Sequence, residues 1–221
     1  MPEPVNIADI LPLRAEQLGD AIALRCPGSR TLAGVARYDQ TLSYRDLDAR
    51  STAIARGLQA YGIGQGQRTV VMLKPSIDFF LVMFALFKCG AVPVLVDPGI
   101  ARSALKQCLQ EAEPSAFIGI PLAQAAKLLL RWAPKVSRKV TTGPLPWFGG
   151  KTLSAIEAMG RSSRRDLPAV APDDAAAVLF TSGSTGVPKG VLYRHRHFTA
   201  QVRLLQQAFS VEAGGVSLPT F

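Results

Sequence analysis

The sequence predicts an α/β fold: a layered, mostly parallel sheet with helices flanking it. Three observations predict it. Short apolar runs alternate with amphipathic segments of helix length. The βαβ spacing between those runs implies parallel strands joined by right-handed crossovers. Apolar residues make up 48% of the 221, enough for a real core, and Gly and Pro are spread along the chain instead of gathered into low-complexity tracts.

Taken in order, residues 7–18 form an amphipathic helix, and residues 21–25 with 34–38 are expected to pair as a hairpin. Ser43 caps a helix whose Tyr44, Leu47, Ser51, Ile54, Leu58 and Tyr61 share one face, and Gly62 stops it. A strand at 68–73 follows. Residues 77–87 are nearly all apolar, but Asp78 and Lys88 bracket them after about ten residues, whereas a spanning helix needs roughly 20. A helix this short and apolar all round belongs in a core; an acyl-facing or membrane-touching helix is the other reading. Strand 92–96, helix 101–113, strand 116–120 and helix 122–131 complete a first α/β unit over residues 1–131. Residues 132–172, rich in Pro, Gly and Arg, are expected to be an irregular basic excursion. Residues 173–221 hold a strand pair and the helix after it.

The net charge of +9 is unevenly placed. From Lys127 to Arg165 stand Lys127, Arg131, Lys135, Arg138, Lys139, Lys151, Arg161, Arg164 and Arg165 against Glu157 alone. Nucleic-acid binding is the first idea such a cluster raises, but Trp132, Trp147 and Phe148 are not interleaved with the charges at a stacking spacing. A solvated surface is the plainer reading, followed by docking to an acidic partner or to anionic lipid. Cys26, Cys89 and Cys108 are odd in number and lack metal-ligand spacing, which fits reduced thiols in a cytoplasmic protein. The first residues hold Glu3 and Asp9 and lack the basic-then-apolar order of a signal peptide.

Residues 181–190 read Thr-Ser-Gly-Ser-Thr-Gly-Val-Pro-Lys-Gly. Gly183 and Gly186 open backbone conformations closed to bulkier residues, so several N–H groups can converge on one oxyanion. Thr181, Ser182, Ser184 and Thr185 add hydroxyls, and Lys189 adds a mobile cation. The flanks, apolar residues 175–180 and extended residues 190–193, make this a strand-to-strand loop. A Walker A loop passes from strand to helix and has Gly where Pro188 stands; a nucleophile elbow needs Gly where Ser182 stands. His195 and His197 have a His-x-His spacing, with no Cys, Asp or Glu near enough in sequence to complete a metal site.

This loop resembles the phosphate-binding loop of the AMP-forming, adenylate-forming enzymes: acyl- and aryl-CoA ligases, peptide-synthetase adenylation domains and luciferases. Leu42-Ser-Tyr-Arg-Asp-Leu47 resembles their Leu-Thr-Tyr-x-Glu-Leu element, and Leu86-Phe-Lys-Cys-Gly-Ala-Val-Pro-Val-Leu-Val-Asp-Pro98 their Lys-x-Gly-Ala-x-x-x-Pro-x-x-Pro element. The resemblance implies the front part of the family's large N-terminal domain. It further implies that the rest of that domain and the mobile C-terminal domain lie outside these residues, that no catalytic residue falls among them, and that the isolated chain is inactive. It also implies attack of a carboxylate on the α-phosphorus of MgATP, with Thr181, Ser182, Gly183, Ser184, Thr185, Gly186 and Lys189 binding phosphate. The main Mg²⁺ ligand is expected beyond Phe221. By the same resemblance His195 sits near the substrate carboxylate, His197 lies at the surface, and Asp97-Pro98 ends a core strand. Residues 92–100 and 116–121 most resemble the fatty-acyl-CoA ligase-like branch and, within it, the bacterial olefin β-lactone synthetases. That branch closes a long-chain β-hydroxy acid to a β-lactone without CoA. A fatty-acyl-CoA or fatty-acyl-AMP ligase, in the first of which CoA takes part, then a peptide-synthetase adenylation domain, and, from a different class, a non-catalytic binding module are the alternatives. Partner enzymes of one pathway and peripheral membrane contact are further expectations.

Overall fold

The structure is a computed structural model that describes residues 5–31, 33–96, 100–146, 149–181, 188–211 and 214–217. A 3-10 turn at Ile7–Asp9 leads into α1 (Ile10–Leu18). Strand β1 (Ile22–Cys26) pairs antiparallel with β2 (Gln40–Ser43). Residues 34–38, the expected partner, contribute only the bridge between Arg30 and Ala36. Burial decides the difference: Leu42 enters the core while residues 37–41 stay exposed.

The remaining elements are α2 (Tyr44–Tyr61), β3 (Arg68–Met72), α3 (Ile77–Lys88), β4 (Val92–Val96), α4 (Arg102–Ala112), β5 (Ala116–Gly119) and α5 (Pro121–Leu129), then β6 (Arg138–Thr141), β7 (Lys151–Thr152), α6 (Leu153–Arg161), β8 (Ala175–Thr181), β9 (Lys189–Arg194) and α7 (His195–Ala208). Among the described residues the main sheet has seven strands in the order β7-β6-β5-β3-β4-β8-β9. Every pairing in it is parallel except β8 with β9.

The expectation of an irregular stretch at 132–172 is corrected: it supplies β6, β7 and α6. In β6 only Val140 and Thr141 are buried while Arg138 points outward, so four residues carry too little apolar pattern to be read as a strand. The helix signal was present. The Thr152 hydroxyl accepts from the Ala155 N–H as an N-cap, and Leu153, Ile156 and Gly160 recur at helical spacing and are buried.

Side-chain alternation divides the core between the two faces of the sheet. Val71, Ala116, Ile118 and Val140 pack beneath α1, α2, α3 and α6. Val70, Phe117, Val94 and Phe180 pack beneath α4, α5 and the buried Trp132. On the first face α2 and α6 touch backbone to backbone. A Cβ on Gly57 would lie 1.9 Å from the Ile156 carbonyl oxygen, and one on Gly160 would lie 1.6 Å from that of Ala53. Hydrogen there is the only side chain that permits the crossing.

The α2 ends behave as read: the Ser43 hydroxyl accepts from the Asp46 N–H, and Gly62 closes the helix at φ 92°. The apolar α3 is seated by Lys88, whose Nζ donates to the Asp48 carboxylate at 2.7 Å, the Asp48 carbonyl at 3.0 Å and the Thr52 hydroxyl at 2.8 Å on α2. Burial pulls the Lys88 ammonium below the usual lysine range, and Asp48 opposes that pull. Among the described residues no helix is long and apolar enough to cross a membrane.

Candidate functional site

Strand β8 is parallel to β4, so its last residue, Thr181, lies at the edge of the sheet where β3, β4 and β5 also end. In open α/β sheets that carboxyl edge is where ligands bind. The apolar run 175–180 sits well inside the sheet, with Ala176, Ala177, Val178 and Phe180 buried. The chain leaves at Thr181 and returns at Lys189, which pairs directly with Thr181, so the connection is a strand-to-strand loop as its flanks suggested.

The loop's mouth is packed from one side. Gly190 faces Phe180, and a Cβ on it would lie 2.8 Å from the Phe180 ring. Lys189 is exposed beside it and Pro188 is buried. Of the expected phosphate-binding residues, the structure therefore places Thr181 and Lys189 together at the carboxyl edge. Ser182, Gly183, Ser184, Thr185 and Gly186 lie outside the described residues, as do Asp97 and Pro98.

His195 sits elsewhere. It opens α7 at the far end of β9, roughly 20 Å from Lys189 at the usual rise of a strand. Its backbone N–H donates to the Asp174 carbonyl at 3.2 Å, ahead of β8, and its ring meets Phe87 edge-on at 6.4 Å. The side chain is 1% exposed, and its Nδ1 has no partner among the described residues. Burial holds the imidazole below its usual range, against the pull of Asp174 and Asp9. The ring is packed into the core at the end of β9 opposite Lys189. His197 is exposed and accepts the Arg194 N–H on Nδ1 at 3.1 Å.

Sequence reasoning missed the groups that fix the base of the hairpin. Asp174 folds its own turn by accepting from the Ala171 N–H at 2.8 Å. Asp173 pairs with Arg196 at 2.6 Å, and its carbonyl accepts from the Arg194 guanidinium. The pair Asp173-Asp174 directly before an apolar strand was the available signal, since short carboxylates favour turns.

Residues 12–220 match the AMP-binding enzyme family. The chain is 63% identical to an olefin β-lactone synthetase of Stenotrophomonas maltophilia, covering all of this chain and 40% of that protein. It is 62% identical to one of Xanthomonas campestris pv. campestris, covering 98% of this chain and 39% of that protein. The fold is similar to that of a long-chain-fatty-acid-CoA ligase from Archaeoglobus fulgidus, with a TM-score of 0.76 at 22% identity, over 96% of this chain and 41% of that one.

Proposed function

Because the chain belongs to the AMP-binding enzyme family, we propose that it carries the phosphate-binding part of an enzyme that activates a long-chain β-hydroxy acid with ATP and closes it to a β-lactone. The observation that carries the reading is identity of 63% and 62% to two olefin β-lactone synthetases across essentially the whole chain. The chain spans about two fifths of the length of these relatives, 40% and 39%.

In the proposed first step a carboxylate oxygen attacks the α-phosphorus of ATP, the bond to the bridging oxygen breaks, and pyrophosphate leaves. Residues of this chain act on the leaving group. Lys189 and the amides and hydroxyls of Thr181, Ser182, Gly183, Ser184, Thr185 and Gly186 would hold the β- and γ-phosphates, so that positive charge and N–H dipoles meet the charge that develops there. The paired strands on either side fix the two ends of the loop, which lowers the reorganisation needed during reaction. Among the described residues no group of three or more His, Cys, Asp or Glu could hold a metal ion.

In the second step the substrate's own β-hydroxyl attacks the activated carbonyl, the bond from that carbon to the phosphate oxygen breaks, AMP and the hydroxyl proton depart, and a four-membered ring closes. A hydroxyl held in position reaches effective molarities far above those of a free thiol, so CoA is not required.

The test joins this chain to the remaining length of the Stenotrophomonas relative and supplies ATP and a long-chain β-hydroxy acid, with and without CoA. A β-lactone seen by NMR without CoA is the expected product. A thioester formed only with CoA would replace this reading by that of an acyl-CoA ligase.

A further inference from the structure

Helix α7 is fastened to the body of the protein through its first turn. His195 is buried and Phe198 and Thr199 are half-buried, but every residue from 200 to 211 is exposed. Within that turn the Phe198 ring meets Phe87 at 5.6 Å and Tyr193 at 5.4 Å, and Arg196 reaches Asp173 across the surface at 2.6 Å. The backbone adds two bonds, from the His195 N–H to the Asp174 carbonyl and from the Arg196 N–H to the Pro172 carbonyl at 2.9 Å. Of the α7 side chains, that of His195 alone is fully buried.

The cage around the His195 ring suits a neutral side chain. The 3-10 turn packs on α3 and α7 and is tied to α3 by the Asn6 amide, which donates to the Phe87 carbonyl at 2.7 Å. Two carboxylates face the imidazole, and both are engaged in their own turns. Asp9 accepts from the Asn6 N–H at 2.9 Å, and Asp174 accepts from the Ala171 N–H. From α3, Phe87 presents its ring, while the neighbouring Lys88 points away to Asp48 and Thr52 on α2. Arg194 and Arg196 are held on Asp173, and His197 accepts the Arg194 N–H outside the cage. Burial outweighs the pull of Asp174 and Asp9, so the ring takes a proton less readily than a free histidine.

An imidazolium would carry N–H groups on both nitrogens, and Nδ1 has no partner among the described residues. A buried charge with an unpaired donor is costly. At the first position of a helix it would also meet the positive end of the backbone dipole.

We propose that His195 is an acid-sensitive catch: while neutral it holds α7 on the body, and on gaining a proton it leaves the cage and releases α7 with the end of β9 that leads into it. Strand β9 carries Lys189 at its other end, so the catch acts on the hairpin that bears the phosphate-loop cation. The folded cage favours the neutral ring. The catch therefore holds fully above the usual histidine range, weakens as pH falls through that range, and stops weakening only below the depressed value of the caged ring. Between those limits the ratio of open to closed α7 rises about tenfold per pH unit, because each opening takes up one proton.

The chain has two histidines, so heteronuclear NMR of the 221-residue protein can follow both imidazoles from about pH 8 to about pH 5, with His197→Gln assigning them. Amide exchange of α2, α7 and β9, corrected for the intrinsic effect of pH, is read on the same samples. His195 is expected to stay neutral into the lower part of the usual histidine range. Protection of α7 should then fall about tenfold per pH unit as the ring takes its proton, while α2 keeps its protection. His195→Phe fills the cage with a ring that takes no proton and should hold α7 protection within about twofold over the same range. Asp9→Asn removes a carboxylate that favours the proton and keeps an oxygen for the Asn6 N–H, so it should move the release to lower pH. If the phenylalanine variant does not fold, the coupled titration of wild type and Asp9→Asn carries the test. Protonation of His195 with α7 still protected, equal loosening of α7 in a folded His195→Phe, or loss of α2 protection together with α7 would overturn the proposal. So would α7 amides that are unprotected already at about pH 8.

Discussion

The seam between α2 and α6 and the hairpin of β8 and β9 represent two ways of using glycine and charge. In the seam, Gly57 and Gly160 remove side chains so that two backbones can touch, and the charges beside it are paired. Glu157 accepts from Arg50 at 3.2 Å and from Arg161 at 2.7 Å, while Lys88 and Asp48 tie α3 to α2. In the hairpin, Gly190 makes room for one ring and Lys189 stands exposed at the end of a strand. The seam fixes the fold. The hairpin holds a cation that packing does not need, and such residues are where binding chemistry is to be sought.

That contrast is broken most severely at Gly160. A methyl there would lie 1.6 Å from the Ala53 carbonyl oxygen and 2.7 Å from the Gly57 nitrogen, so Gly160→Ala must force the helices apart. The expected loss is about 3 kcal/mol or more, measured by urea unfolding of the chain. A loss below about 1 kcal/mol would mean that the seam is not close-packed.

Asp48→Ala comes next, at about 3 kcal/mol, because it leaves the Lys88 ammonium buried without its counter-charge. This lies at the low end for a buried pair, since Lys88 keeps its bonds to the Asp48 carbonyl and to Thr52. Lys88→Met should cost less, about 1–3 kcal/mol, because the Asp48 side chain is the more accessible of the two and can turn to water. The reverse order in paired unfolding curves would contradict the burial argument.

Lys189→Ala tests the hairpin. Stability should change by less than about 0.5 kcal/mol, as at an ordinary surface position. In the joined protein, single-turnover adenylation should slow by about 1–4 kcal/mol of barrier. A wild-type rate would reduce Lys189 to a turn residue.

The mildest test uses pH. Burial pushes the Glu157 carboxyl up, but Arg50 and Arg161 outweigh it and hold it below the usual carboxylate range. A depressed carboxylate contributes stability above its unfolded value and loses that contribution as pH falls through the folded one. Stability of the wild type should therefore decline as pH drops through and below the usual glutamate range, and Glu157→Gln should flatten that part of the profile while costing about 1 kcal/mol at neutral pH. Parallel profiles for the two proteins would remove Glu157 from the acid response.

The sequence by itself determined most of the local structure. Ser43 and Gly62 mark the ends of α2 because capping and left-handed turns are decided within a few residues. The helix at Ile77–Lys88 and the strand at Ala175–Thr181 are legible from apolar runs, and the Gly/Ser/Thr loop from its own composition. Only the tertiary structure decided which strands pair. The partner of β1, the strands β6 and β7 at one end of the sheet, and the seam of Gly57 against Gly160 all depend on residues far apart in sequence, and short amphipathic strands carry too few apolar positions to announce themselves. His195 gives the same lesson at the site. It stands only six positions after Lys189 in the chain, yet an extended strand carries it to the opposite edge of the sheet, because proximity in sequence becomes distance wherever the backbone is straight.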